Sequence, residues 1–183
     1  LFDTETREPI GDHQAPAFVG SLAFDPGGDS LALAGSAGSG LRSAFVEILD
    51  ADTARVRSSI SLGRQPSGAH LGYFVAVDYG PDGRSLIVTY SACSIPSSPA
   101  CAADLDYTSD VFMRRFDARD GTPQGRAVRV APRSTSAATL SSPDGRLLVS
   151  SDRATYAVDA RTLRVVRRYR VGDPTLRSER LDI

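Results

Sequence analysis

Short apolar runs alternate with polar clusters rich in Pro, Asp and Gly along most of the chain. Phe18–Ala23 and Phe74–Val77 each lead into such a cluster, and Leu31–Ala34, Leu86–Thr89 and Leu147–Val149 each follow one. Bounded runs of this length predict β-strands. The runs that follow the clusters are apolar at successive positions rather than alternating, so these strands are expected to be buried on both faces. A sheet sandwiched between two neighbouring sheets meets that requirement.

The polar clusters repeat. Phe24-Asp25-Pro26-Gly27-Gly28-Asp29-Ser30-Leu31 is echoed by Tyr79-Gly80-Pro81-Asp82-Gly83-Arg84-Ser85-Leu86 and by Ser141-Ser142-Pro143-Asp144-Gly145-Arg146-Leu147-Leu148. Proline presets φ at the first central turn position, Asp accepts bonds from the backbone that follows, and Gly takes a positive φ. A second phrase marks another hairpin in each unit: Leu49-Asp50-Ala51-Asp52-Thr53, Phe116-Asp117-Ala118-Arg119-Asp120-Gly121 and Val158-Asp159-Ala160-Arg161-Thr162. A fourth copy, Phe2-Asp3-Thr4-Glu5-Thr6, opens the sequence. The arginine-rich stretches after these turns, Arg55–Leu62 and Arg164–Val171, have the charge expected of exposed edge strands.

Each unit therefore predicts four antiparallel strands with the third and fourth joined at the Asp turn, which is one blade of a β-propeller. The expected fold is all-β: a WD-like β-propeller fragment of about three four-stranded antiparallel blades plus a partial one. Residues 1–14 would end a preceding blade. Blades would occupy 15–63, 64–130 with an insertion at 91–106, and 131–172, and residues 173–183 would lead into a following blade. Turn prolines Pro26, Pro81 and Pro143 recur at a longer period than the roughly 40 to 45 residues of a compact blade. Three blades and a part do not close a ring of the usual four to eight. An arc of this kind, expressed alone, is expected to expose blade faces and to self-associate or aggregate.

These residues resemble WD-repeat and related bacterial propellers, with Ser-Pro-Asp-Gly-Arg turns and an apolar-Asp dipeptide where Trp-Asp would stand. The sequence has no tryptophan, and neither His13 nor His70 falls in a Gly-His dipeptide, so the strict WD signature is absent. Three stretches are similar to the C-terminal propellers of SARP/BTAD-type transcriptional regulators of high-GC bacteria, which also carry an ATPase module: Leu1–Gly11, Phe116–Gly125 and, most specifically, Leu140–Arg168. The resemblance implies a cytoplasmic, regulatory, protein-binding role. No catalytic or DNA-contacting residue of that class maps onto these positions.

Composition narrows the function further. The formal net charge is -1, which argues against a chain whose main task is gripping nucleic acid, because phosphate binding needs a clustered positive field. All 21 basic residues are arginine, a bias that fits GC-rich coding, and without lysine a Walker-type ATPase site cannot be built here. No apolar run approaches the roughly 20 residues of a membrane-spanning helix, and the first residues lack the basic flank and apolar stretch of a secretory signal.

Few residues suggest chemistry. Cys93 and Cys101 bracket a Ser- and Pro-rich segment and form a candidate disulfide, with two free thiols as the alternative. Two thiolates alone supply half a tetrahedral metal shell. Asp104, Asp106 and Asp110 lack the spacing of a calcium loop. His70 with Asp78 and a serine is a weak hydrolase candidate without a Gly-x-Ser-x-Gly elbow, and the turns lack the spacing of sialidase turns. Arg164, Arg167, Arg168 and Arg170 form the basic cluster, expected as a solvated edge, with Arg164, Arg168 and Arg170 on one side beside Val166 and Arg167 on the other beside Val165 and Tyr169. The expected function is thus a non-catalytic protein-interaction or regulatory module of a multidomain bacterial transcriptional regulator, with no cofactor, metal or catalytic residue. Its partner would be another protein or other domains of the same chain, with neither nucleic acid nor membrane in contact. The alternatives are an exported or surface-attached binding propeller and, less favoured, part of a propeller hydrolase.

Overall fold

A computed structural model describes residues 1, 3, 5–16, 18–37, 43–62, 71–92, 109–134, 137–142, 145–151 and 154–170. Among these, all regular structure is β. The strands are β1 (Phe18–Phe24), β2 (Ser30–Ala37), β3 (Ser43–Asp50), β4 (Val56–Ser61), β5 (Leu71–Tyr79), β6 (Ser85–Ala92), β7 (Ser109–Asp117), β8 (Pro123–Ser134), β9 (Ala137–Ser141), β10 (Arg146–Ser151), β11 (Ala154–Asp159) and β12 (Val165–Arg170). They form three four-stranded antiparallel meanders, β1-β2-β3-β4, β5-β6-β7-β8 and β9-β10-β11-β12. Ser91 and Ala92, at the start of the expected insertion, are the buried end of β6. Cys93, Cys101, Asp104 and Asp106 lie outside the described residues, as does His70.

The middle sheet packs against both others: β5 against β1, β2 and β3 on one side and β9 on the other, with β8 against β10 and β11. Successive sheets stacked in this way, with first strands β1, β5 and β9 adjacent, make the arc of a β-propeller. The double-sided burial predicted for the second strands holds for β6, which is buried throughout, and for Leu31, Ala32, Leu33 and Ala34. In β10 it holds on one face only. Leu147 and Val149 pack toward the middle sheet in a cluster with Ile87, Val111 and Met113, whereas Leu148, on the opposite face, stays half-exposed. Full burial of one such Leu, Ile or Val side chain contributes roughly 1.5–3 kcal/mol.

Both repeated phrases fold as repeated turns. In the first, the Gly28, Gly83 and Gly145 amides donate to Asp25, Gly80 and Ser142 carbonyls at 3.0, 2.9 and 3.0 Å, and the three glycines have φ of 83°, 63° and 78°. In the second, Asp3, Asp50, Asp117 and Asp159 each donate from the main-chain N–H to the carbonyl five residues on and accept at the carbonyl from the amide four residues on. The carboxylate tightens the same loop. Asp50 Oδ1 accepts from Thr53 N–H and Thr53 Oγ1 at 2.9 and 2.8 Å, and Asp159 Oδ1 accepts from the corresponding groups of Thr162, both at 2.8 Å. The residue four after each Asp is left-handed: Arg7, Ala54 and Leu163 at 62°, 56° and 55°, and Gly121 at 74°. Only one of the four is glycine, because the Asp bonds hold the loop in a region that other residues rarely adopt.

The turns also join the sheets, which their sequence did not reveal. A Cβ built on Gly83 would lie 3.4 Å from Pro26 Cδ, and one on Gly145 would lie 3.0 Å from Pro81 Cγ. Pro26 and Pro81 thus each sit on the turn glycine of the next blade. Further out, a Cβ on Gly121 would meet Ile60 Cγ1 of the first sheet at 2.5 Å. Gly121→Ala adds that overlap to a left-handed φ and is expected to destabilise the chain by about 2 kcal/mol. An unchanged denaturant midpoint would contradict this contact.

One register expectation fails. A bulge in β12 opposite Ala157 and Val158 pairs Val158 with Val165, Ala157 with Arg167 and Tyr156 with Arg168. Directly opposed residues share a face, so Val165 lies with Arg168 and Arg170, whereas Arg167 and Tyr169 share the other side. The extra bulge residue breaks the alternation on which the expected arrangement depended. The cluster stacks on aromatics: Arg167 is 4.9 Å from the Tyr169 ring centre and Arg168 is 5.7 Å from that of Tyr156.

Candidate functional site

The face carrying the Pro and Asp turns holds two clefts, one on either side of the end of β5. The first, of about 500 Å³, lies where the first strands converge and is lined by Leu22, Phe24, Asp78, Tyr79, Ser141 and the turn prolines Pro26 and Pro81, among others. Its walls are fixed by a bond across the blades, since Ser21 Oγ accepts from Val77 N–H at 3.2 Å and donates to the Val77 carbonyl at 3.4 Å. Asp78 is the next residue on β5 and is 9% exposed. Burial pushes its carboxyl up to about 6, while a hydrogen bond with Ser141 pulls the other way. Its Oδ2 has no hydrogen-bond partner among the described residues. Loss of water explains the direction, because a buried carboxyl favours the uncharged form.

The second cleft, of about 450 Å³, opens between the first and middle sheets and is charged: Asp25, Arg57, Arg84, Asp117 and Arg119 line it with Tyr79. Arg57 is held by Ser30 Oγ at 2.7 Å and by Asp50 Oδ2 through its Nε at 3.1 Å. The Asp50 carboxyl sits below the usual carboxylate range, first through its bond with Arg57 and then through Thr53. Tyr79, shared by both clefts, is pushed up to about 12 by burial and, secondarily, by the Asp25 charge. On the other side of the middle sheet, Arg115 donates to Ser85 Oγ at 3.0 Å and to the Arg161 carbonyl of the third sheet.

Asp78, Asp110 and His13, the singled-out acids and histidine among the described residues, are each held in a separate contact. Asp78 bonds to Ser141, and its proposed histidine companion is outside the described residues. Asp110, one of the three acids near the insertion, pairs with Arg129 at 3.1 Å. His13 Nε2 is 2.8 Å from the buried Glu47 Oε2 and closes the far face of the first sheet. Among the described residues, no three His, Cys, Asp or Glu side chains are grouped to hold a metal, and no helix is long and apolar enough to cross a membrane. The clefts were not read from the sequence; the features that mark them are an acid directly after the apolar run Val75-Ala76-Val77 and an arginine directly after the turn glycine in two of the phrases.

No family model matches the sequence, and no curated protein is similar to it. Solved structures are similar in fold. The WD40 domain of Toxoplasma gondii coronin superposes with a TM-score of 0.64 at 16% identity, over 92% of this chain and 39% of that one. The Dos1 propeller gives 0.53 at 15% identity, over 92% and 40%. Kuenenia stuttgartiensis hydrazine synthase gives 0.51 at 18% identity, over 76% and 39%. The chain thus has a β-propeller fold and spans about two fifths of the length of these structures.

Proposed function

We propose that the chain is a non-catalytic binding scaffold that engages a protein segment on its turn face. The observation that carries this reading is the pair of clefts beside Tyr79, one that sets Leu22, Phe24 and two turn prolines beside the buried Asp78 carboxyl, Ser141 and Arg146, and one lined by two acidic and three arginine side chains. Such a surface offers an extended segment both apolar contact and directional polar groups, and it is held rigid by Pro–Gly contacts and hydrogen bonds between blades. The charged cleft gives the test. Arg84→Glu with Arg119→Glu is expected to release bound protein, whereas Arg170→Glu on the edge strand β12 leaves it bound. Equal retention by both variants would overturn the proposal.

The transcriptional-regulator setting is supported by the sequence resemblance of Leu1–Gly11, Phe116–Gly125 and Leu140–Arg168. In that setting, removing residues 15–172 from the parent protein changes transcriptional output and leaves DNA binding intact. Unchanged output would count against it.

A further inference from the structure

Leu1, Asp3 and residues 5–11 belong to a hairpin of the same Asp-turn type as those ending at β4, β8 and β12: the Asp3 amide donates to the Glu8 carbonyl and the Ile10 amide to the Leu1 carbonyl, both at 3.0 Å. The hairpin packs on the first sheet as the first sheet's own outer hairpin packs on the middle one. A Cβ on Gly11, eight residues after Asp3, would lie 3.0 Å from Cβ of Ala54, four residues after Asp50. The matching pair one blade on is Ser58, eight residues after Asp50, and Gly121, four after Asp117, where the distance to Ser58 Oγ is 3.5 Å. An outer hairpin therefore covers the outer half of this face.

The inner half is bare. Leu22 and Phe24 are 62% and 56% exposed, whereas their counterparts before the next turn proline, Val77 and Tyr79, are 2% and 8% exposed beneath the first sheet. Leu22 and Phe24 pair with Leu33 and Leu31, so they share the face of the Leu31–Leu33–Leu49 cluster that Leu1 and Ala15 cover further out. The turn glycine supplies an independent sign. Gly83 and Gly145 each receive a proline from the preceding blade, but a Cβ on Gly28 would meet nothing within 4 Å among the described residues.

We propose that this inner half is a docking site for one two-stranded β-hairpin of the same repeat, with apolar strands that cover Leu22 and Phe24 and a Pro-x-Gly turn whose proline seats on Gly28. A whole four-stranded blade does not fit, because its outer hairpin would occupy the place of residues 1–11. Two strands are what a blade still lacks once its outer hairpin is in place, and β5 and β6, whose turn carries Pro81, Asp82 and Gly83, supply the matching chemistry.

The test uses a backbone-cyclised peptide of residues 73–90, titrated against the full chain by fluorescence anisotropy. Binding is expected, weakened about tenfold by Pro81→Ser in the peptide and about tenfold by Leu22→Asp in the chain. Leu22 is exposed, so that variant keeps its fold, which circular dichroism checks. Gly28→Ala in the chain, which fills the seat of the proline, is expected to weaken the proline-bearing peptide more than the Pro81→Ser peptide. No binding, equal binding by the two peptides, or equal binding to the original and Leu22→Asp chains would overturn the proposal. So would a dimer in sedimentation that Leu22→Asp dissociates while the peptide leaves it intact, since a second copy would then cover the face.

Discussion

Alanine in place of Gly35 is expected to destabilise the chain by about 3 kcal/mol, near the upper end for overpacking. A Cβ at this position would lie 2.1 Å from the Phe18 carbonyl oxygen and 2.9 Å from Phe45 Cζ. The carbonyl is main chain and cannot withdraw without moving its strand. Phe18 belongs to β1, beside the bulge between Val19 and Ser21, and Phe45 stands directly opposite Gly35 on β3. The first sheet would have to open on one side or the other, which loosens the strand that carries Leu31 and Leu33. Denaturant unfolding with Gly28→Ala as the control checks this. Gly28 has a left-handed φ but open space around it, so its alanine variant is expected to lose only about 1 kcal/mol. Equal losses at the two sites would contradict the close approach of β1 to β2 at Gly35.

The second large effect is a pH dependence that originates at Asp78. With its carboxyl raised to about 6 in the folded chain, the folded state holds a proton that the unfolded chain releases near its ordinary value of about 4. The associated stabilisation is fully present below pH 4 and is lost as pH rises through 6. A displacement of about two units corresponds to about 3 kcal/mol. Asp78→Asn supplies an uncharged isostere that can still bond to Ser141, so it is expected to remove this loss and to melt later than the original chain at pH 7.5. Melting curves from pH 4 to 7.5 provide the comparison. Parallel curves for the two chains would mean that Asp78 is solvated.

Much of the architecture was legible because it is local. Pro26, Pro81 and Pro143 announced the first turns, and Asp3, Asp50, Asp117 and Asp159 announced the hairpins, since an Asx turn is made by one side chain and the next few amides. The four loops share the same bonds although their residue four after Asp varies from Arg to Ala to Gly to Leu. The apolar runs at Leu31 and Leu86 also signalled burial on both faces, whereas in the run at Leu147 only Leu147 and Val149 are buried and Leu148 is half-exposed. Long-range geometry was not legible. Turn propensity alone accounts for Pro81, and nothing in its immediate surroundings indicates that it rests on Gly145 in the next blade. The β12 bulge adds one residue opposite β11 and so defeats strict alternation. The clefts were hidden because Leu22, Asp78 and Ser141 come from three different units, and Asp78 read alone is simply an acid near a turn.

Stacking of consecutive blades turn on turn is tested most directly by trapping one of these contacts. In a Cys93→Ser, Cys101→Ser background, Pro81→Cys and Gly145→Cys would place two thiols on neighbouring blades. The Cβ positions there are 3.8 Å apart, inside the roughly 3.5–4.5 Å range that a disulfide spans. Mild oxidation is expected to give a faster-migrating, reductant-sensitive monomer for this pair and none for Pro26→Cys with Gly145→Cys, which skips a blade. Free thiols in the first pair, or equal cross-linking in both, would contradict the stacked arc.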